Sequence, residues 1–359
     1  MQGGRHLETP PLGKLPPADF ERLIAPHLGA PRPEVLVGPR TGTDAAIVRL
    51  GAGRVMAVTT DPLSLVPALG IEASAMLSAH HVASDVWTSG IPPAYASVCF
   101  NLPPTLSAAT FAAYQCALAE TFEALGVAIV TGHTGRYAGI DSTLIGAATM
   151  IGVGDEGRYL TPAMARPGDR VIVTKGCAIE ATAIAARMFP RRLATVLDEE
   201  GVARARKLLD QVSVVTDCRA LVRIGVRDRG VSALHDATEG GVLGGLVELA
   251  RACGQDLRVE RSRIPLLPEA KGACEVFGID PGWTLSEGAL IATVRAERVT
   301  AALAALGEEG IIADVVGEVM RGTGVLWLTE PDGRVVQLRD PEPDPYWAAY
   351  ERAVREGWN

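Results

Sequence analysis

Short apolar runs of strand length, each stopped by Gly, Pro or a lone aspartate, recur along this sequence and constrain its fold more than any other feature. Val35-Leu36-Val37, Ala46-Ile47-Val48, Val55 to Val58, Ala94 to Leu102, Val127 to Val130 and Ile145 to Val153 read as strands. Ala73 to Trp87 reads as a buried helix among them, and Ser107 to Leu125 as another. The turn Arg166-Pro167-Gly168-Asp169 opens a second block. It holds strand Arg170 to Thr174, helices Ile179 to Met188, Leu197 to Leu209, Gly241 to Ala252 and Val299 to Leu306, strand Leu290 to Val294, and strands near Ile312 and Val325. Strands and helices mix in both blocks, so each reads as an α/β or α+β domain. The 359 residues suffice for two cores. The divisions expected are an N-terminal segment 1–30, domains over 31–165 and 166–340, and a tail, 341–359, ending in an amphipathic helix with Trp347, Tyr350 and Trp358.

Composition narrows the class. With 48% hydrophobic and 21% charged residues the chain reads as an ordinary folded protein. A net charge of −8 favours neither a nucleic-acid partner nor an anionic membrane. The six scattered cysteines form no Cys-x-x-Cys pair, which suits a reducing cytosol and argues against a disulfide scaffold or a zinc site. The start, Met1 to Pro10, is polar and unlike a signal peptide, and apolar stretches break before they could span a bilayer. A cytoplasmic protein is expected.

The aspartates carry the chemistry. Asp44, Asp61 and Asp85 each sit beside Gly, Ser or Thr next to an apolar run, and Asp236 opens Asp236-Ala237-Thr238-Glu239-Gly240-Gly241. Each alone could be a helix cap or turn residue. Together they offer the hard oxygen ligands that Mg²⁺ and a polyphosphate require. Thr131-Gly132-His133-Thr134-Gly135-Arg136 could bring backbone N–H groups and the Arg136 guanidinium to phosphate, or be a plain loop. Gly240 and Gly241 open a helix whose N-terminus could seat phosphate, and a purely structural helix has little reason to carry two glycines there. Lys175 could reach phosphate or pair with Glu180. Cys177 reads either as a low-pKa thiol or as a small buried residue.

In this order the motifs resemble the PurM-like superfamily of ATP-dependent enzymes, from Gly13-Lys14 to Gly317-Glu318-Val319. The similarity is greatest to HypE-like hydrogenase-maturation proteins and their AIR-synthase-related kin. It implies a two-domain PurM-like fold, whose N-terminal α/β domain forms a β-barrel across a homodimer and whose C-terminal domain is α+β. ATP and Mg²⁺ would lie in the cleft. Asp44, Asp61, Asp85 and Asp236 would hold the metal. Lys14, Thr60, Gly132, His133, Thr134, Arg136, Lys175, Thr238, Glu239 and Gly240 would join Asp44, Asp61 and Asp85 around the nucleotide. Asp61, Asp236 and His133 would be catalytic.

Two departures shape the expectation. The HypE-like proteins end in a carbamoyl-accepting cysteine, whereas this sequence ends Glu356-Gly357-Trp358-Asn359, which argues against self-carbamoylation. His133 stands where relatives carry a carboxylate, which implies altered metal loading or substrate, with His133 donating a hydrogen bond to phosphate. The reaction expected is phosphorylation of an amide- or carbonyl-type oxygen on a small-molecule or protein-borne acceptor. A small-molecule kinase like thiamine-monophosphate kinase and a non-catalytic nucleotide-binding regulatory subunit are the alternatives.

Overall fold

The computed structural model describes residues 13–67, 69–140 and 143–359, so the polar start from Met1 to Pro10 lies outside the described residues. The first sheet has six strands: β1 (Val35–Val37), β2 (Ala46–Gly51), β3 (Arg54–Ser64), β4 (Pro93–Leu102), β5 (Ala128–Arg136) and β6 (Leu144–Asp155). Their spatial order is β1-β2-β3-β6-β4-β5. Every neighbouring pair is antiparallel except β4 and β5. A parallel pair needs a crossover, here the helix Ala108–Ala124. Alternation along β3 and β4 turns Val55, Ala57, Leu63, Ala96, Val98 and Phe100 inward. The helices Ile71–Thr88 and Ala108–Ala124 cover them with Val82, Val86, Tyr114 and Phe122. The sheet is open, with β1 and β5 as its edges, and closes into no barrel among the described residues.

Two sequence expectations change here. The Gly-rich stretch Thr131–Arg136 is the second half of β5, not a loop. Its backbone pairs with β4, and a Cβ on Gly132 would stand 2.2 Å from the Val98 carbonyl oxygen. That glycine answers to the close approach of a neighbouring strand. Two of the four aspartates, Asp61 and Asp85, also do not mark strand ends. Asp61 lies inside β3 opposite Ala148, and Asp85 lies inside the helix Ile71–Thr88.

The second sheet has seven strands: β7 (Arg170–Thr174), β8 (Val231–Ala237), β9 (Asp256–Glu260), β10 (Ala289–Val294), β11 (Ala313–Met320), β12 (Leu326–Thr329) and β13 (Val335–Leu338). Their order is β13-β12-β9-β11-β7-β10-β8, antiparallel apart from β12 beside β9. Both faces of its centre are buried. Val171 and Val173 join one core with helices Ile179–Met188 and Gly241–Cys253, while Ile172 joins another with helices Val215–Arg223 and Val299–Glu308. Burial on both faces explains why these strands read as unbroken apolar runs. The tail helix Tyr346–Arg355 docks on its own chain, burying Tyr346, Ala349 and Ala353 near Phe189 and Phe277. Arg192 stacks over Trp358 at 4.6 Å. Among the described residues no helix is long and apolar enough to cross a membrane.

Candidate active site where the two domains meet

The first domain reaches the second through the loop carrying Asp44. Gly42 there has φ +72°, and a Cβ on it would lie 2.7 Å from the Glu248 carbonyl oxygen. Only glycine permits both that backbone and that approach to the helix Gly241–Cys253. The loop thereby sets Asp44 Oδ1 2.7 Å from His235 Nδ1 on β8. On the other side of the ring, His235 Nε2 lies 3.2 Å from Glu248 Oε2, and Lys14 Nζ is 3.3 Å from Glu248 Oε1. Burial works against a charged imidazole, but Asp44 and Glu248 outweigh it and push His235 up to about 10. Burial likewise opposes the Glu248 charge, yet His235 and Lys14 hold it down at about 2. At neutral pH His235 is therefore protonated, and both imidazole nitrogens donate, one to Asp44 and one to Glu248.

Beside it three more carboxyls crowd together. Asp85, half-buried in its helix, accepts from Thr59 Oγ1 at 2.8 Å and shares a hydrogen bond with Asp61. Burial, then the Asp61 charge, pushes Asp85 well above the usual carboxylate range. Burial also raises Asp61, while the bond to Asp85 and the charge of Lys14 pull it back. Burial and Asp44 push Asp236 up to about 8. Asp44 Oδ2 and Asp236 Oδ2 are buried without a hydrogen-bond partner. Asp44, His235 and Asp236 hold ligand atoms within 4.8 Å of one another. Buried carboxyl oxygens with no donor, aimed into a cluster that repels its own charge, fit a divalent cation of the oxygen-preferring Mg²⁺ kind. His235 is committed to the carboxylates beside it, which leaves the oxygens to the ion.

Residues 42–153 match the N-terminal domain, and residues 166–328 the C-terminal domain, of AIR synthase related protein. The carbamoyl dehydratase HypE of Rhodobacter capsulatus is 30% identical over 291 residues, 77% of this chain and 78% of that protein. The chain belongs to the AIR synthase related family. The selenide, water dikinase of Myxococcus xanthus is 28% identical across 86% of the chain and 91% of its own length. The crystal structure of E. coli HypE, a hydrogenase maturation protein, superposes with a TM-score of 0.69 at 28% identity, covering 81% of this chain and 87% of that one. The two-domain PurM-like architecture and the kinship with HypE thus agree with the reading of the motifs.

The other candidates fall in three places. Lys14 and Glu239 lie at the cluster's rim, where the Lys14 backbone N–H donates to Glu239 and the Trp347 indole donates to its other oxygen at 3.1 Å. Gly240 N–H donates to Asp344 of the tail at 2.9 Å, and the Thr238 carbonyl accepts from Gly241 and Ser286. Gly240 and Gly241 have φ of +82° and +65°, and a Cβ on Gly241 would meet Gly282 and Thr284 backbone within 2.8 Å. The paired glycines therefore have a structural reason that the sequence did not show. Thr60 bonds Thr149 across β3 and β6 at 2.8 Å. Gly132, His133 and Thr134 line a separate groove of about 420 Å³ along β5, with His133 Nε2 2.8 Å from Tyr137 Oη. Arg136 is tied to the carbonyls of Pro103 and Leu106.

Lys175 does not pair with Glu180. Its ammonium is buried against Asp217 Oδ2 at 2.9 Å and donates to the carbonyls of Ser213 and Gly288, each at 2.7 Å. Those contacts use up its donors and leave none for phosphate or Glu180. Cys177 resolves as a buried thiol, pushed by burial up to about 12. Sequence reading missed His235, Glu248 and Thr59. A lone carboxylate in the apolar run Gly241–Cys253 was the available signal for Glu248, and His235 beside Asp236 the one for its partner.

Proposed function

We propose that the chain uses ATP to dehydrate a carbamoyl-type amide, with Mg²⁺ and the nucleotide's phosphates at the Asp44, Asp61, Asp85 and Asp236 cluster. The observation that carries this is the pair of buried, partnerless oxygens on Asp44 and Asp236, contributed by two different domains. In this reaction the carbonyl oxygen attacks the γ-phosphorus and ADP leaves. Loss of two N–H protons then expels phosphate with the former carbonyl oxygen and leaves a nitrile. A bound Mg²⁺ supplies neutralisation of the phosphate charge. Asp85 and Asp236, which burial and neighbouring carboxylates hold above the usual carboxylate range, would give up protons when a cation binds. Lys14 adds a positive charge at the rim.

We place the working unit in a homodimer joined through the first sheet. Tyr95, Ile129 and Val130 remain 45%, 38% and 58% exposed on β4 and the edge strand β5, a surface too apolar for a free edge. The domain limits adopted are 31–165 and 166–340, with the tail 341–359 on the second domain.

The test is ATP turnover with an acceptor peptide carrying a carbamoyl group labelled with heavy oxygen in its carbonyl. Labelled inorganic phosphate and a nitrile product are expected. Phosphate retained on the acceptor would favour the kinase reading, to which the length match with a selenide, water dikinase lends weight. No ATP consumption with any acceptor would favour the regulatory one.

A further inference from the structure

Outside the aspartate cluster, the two domains bring a second group of metal-type donors together. His81 comes from the helix Ile71–Thr88, Glu180 from the first turn of the helix Ile179–Met188, and Glu287 from the turn before β10. Their ligand atoms lie within 4.8 Å of one another. Glu180 and Glu287 are 6% and 4% exposed. Neither carboxyl makes a hydrogen bond among the described residues. His81 Nε2 is itself buried and has no hydrogen-bond partner. It stands 3.6 Å from Glu180 Oε1, too far for a hydrogen bond. That separation is close to the roughly 3.3 Å between two donors of a tetrahedral ion with bonds of about 2.0–2.1 Å. The buried His81 nitrogen faces the carboxyls of two buried glutamates without bonding to either, which leaves it short of a partner.

We propose that His81, Glu180 and Glu287 form a second cation site that takes a transition-metal dication of the zinc class. An imidazole nitrogen with two carboxylates suits such an ion, whereas Mg²⁺ prefers oxygen alone. The donors are nitrogen and oxygen, so the scattered cysteines carried no sign of the site. Three protein ligands leave a fourth position for water or for an oxygen of an acceptor. Because His81 belongs to the first domain and both glutamates to the second, the ion cross-links the domains.

Zinc titration of the metal-free, full-length protein without nucleotide tests this, following bound metal and thermal stability together. One Zn²⁺ that raises the melting temperature is expected. Glu287→Gln and His81→Gln should each weaken it by at least about tenfold, the scale that even outer-shell changes reach. Anomalous diffraction from wild-type crystals soaked in Zn²⁺ locates the ion without relying on any variant. No bound Zn²⁺, an ion found at Asp44 and Asp236 instead, or equal affinity in Glu287→Gln would overturn the proposal.

Discussion

His235 sits between Asp44 and Glu248, and the pH dependence of this row follows from its two shifted groups, His235 and Glu248. His235 is raised to about 10, so its contribution is complete below its unfolded value near 6.5 and fades as pH rises through about 10. Glu248 is lowered to about 2, so its contribution is present above about 4.5 and is lost as pH falls toward 2. Glu248→Gln should therefore cost about 1–3 kcal/mol near pH 6 and clearly less near pH 9.5. Denaturant titration in metal-free buffer at both values checks this, and an equal gap would show that the pair is not charged as described. Lys175→Met makes the opposite point about function. Removing the ammonium strands Asp217, 1% exposed, and should cost about 3–5 kcal/mol. Nucleotide affinity of the folded protein, measured by calorimetry, should stay the same, because Lys175 spends its donors on protein carbonyls and Asp217.

Elements were more legible than their edges. The core strands and the two covering helices follow from apolar periodicity, since each must bury one stripe or face. The second half of β5 did not, because Thr131–Arg136 is polar, glycine-rich and exposed on both faces, and only its pairing with β4 makes it a strand. Asp44, Asp61, Asp85 and Asp236 stood out in the sequence as lone carboxylates, yet their placement depends on long-range contact between domains that no local pattern encodes. His235 and Glu248 were hidden for the same reason. At this scale the edge strand carries its own prediction. Light scattering at micromolar concentration should give a dimer mass, and Val130→Asp combined with Tyr95→Arg should give a folded monomer. A wild-type monomer would remove the proposed assembly.

Across the whole molecule, two sheets with separate cores meet at a row of buried acids, and folding crowds like charges that a cation would relieve. Such a site must exchange protons for metal. Asp236, held up to about 8, and Asp85, held higher than usual, should make Mg²⁺-dependent nucleotide binding tighten as pH rises from about 6 to 8. The central claim is that ATP binds through a divalent ion at the Asp44, Asp61, Asp85 and Asp236 cluster. Calorimetric titration of ATP into wild type and Asp61→Asn, each with Mg²⁺ and with EDTA, tests it most directly. The account predicts binding to wild type only with Mg²⁺, weakened in Asp61→Asn by at least about 1–3 kcal/mol. Equal affinity in the variant, or tight wild-type binding in EDTA, would contradict it.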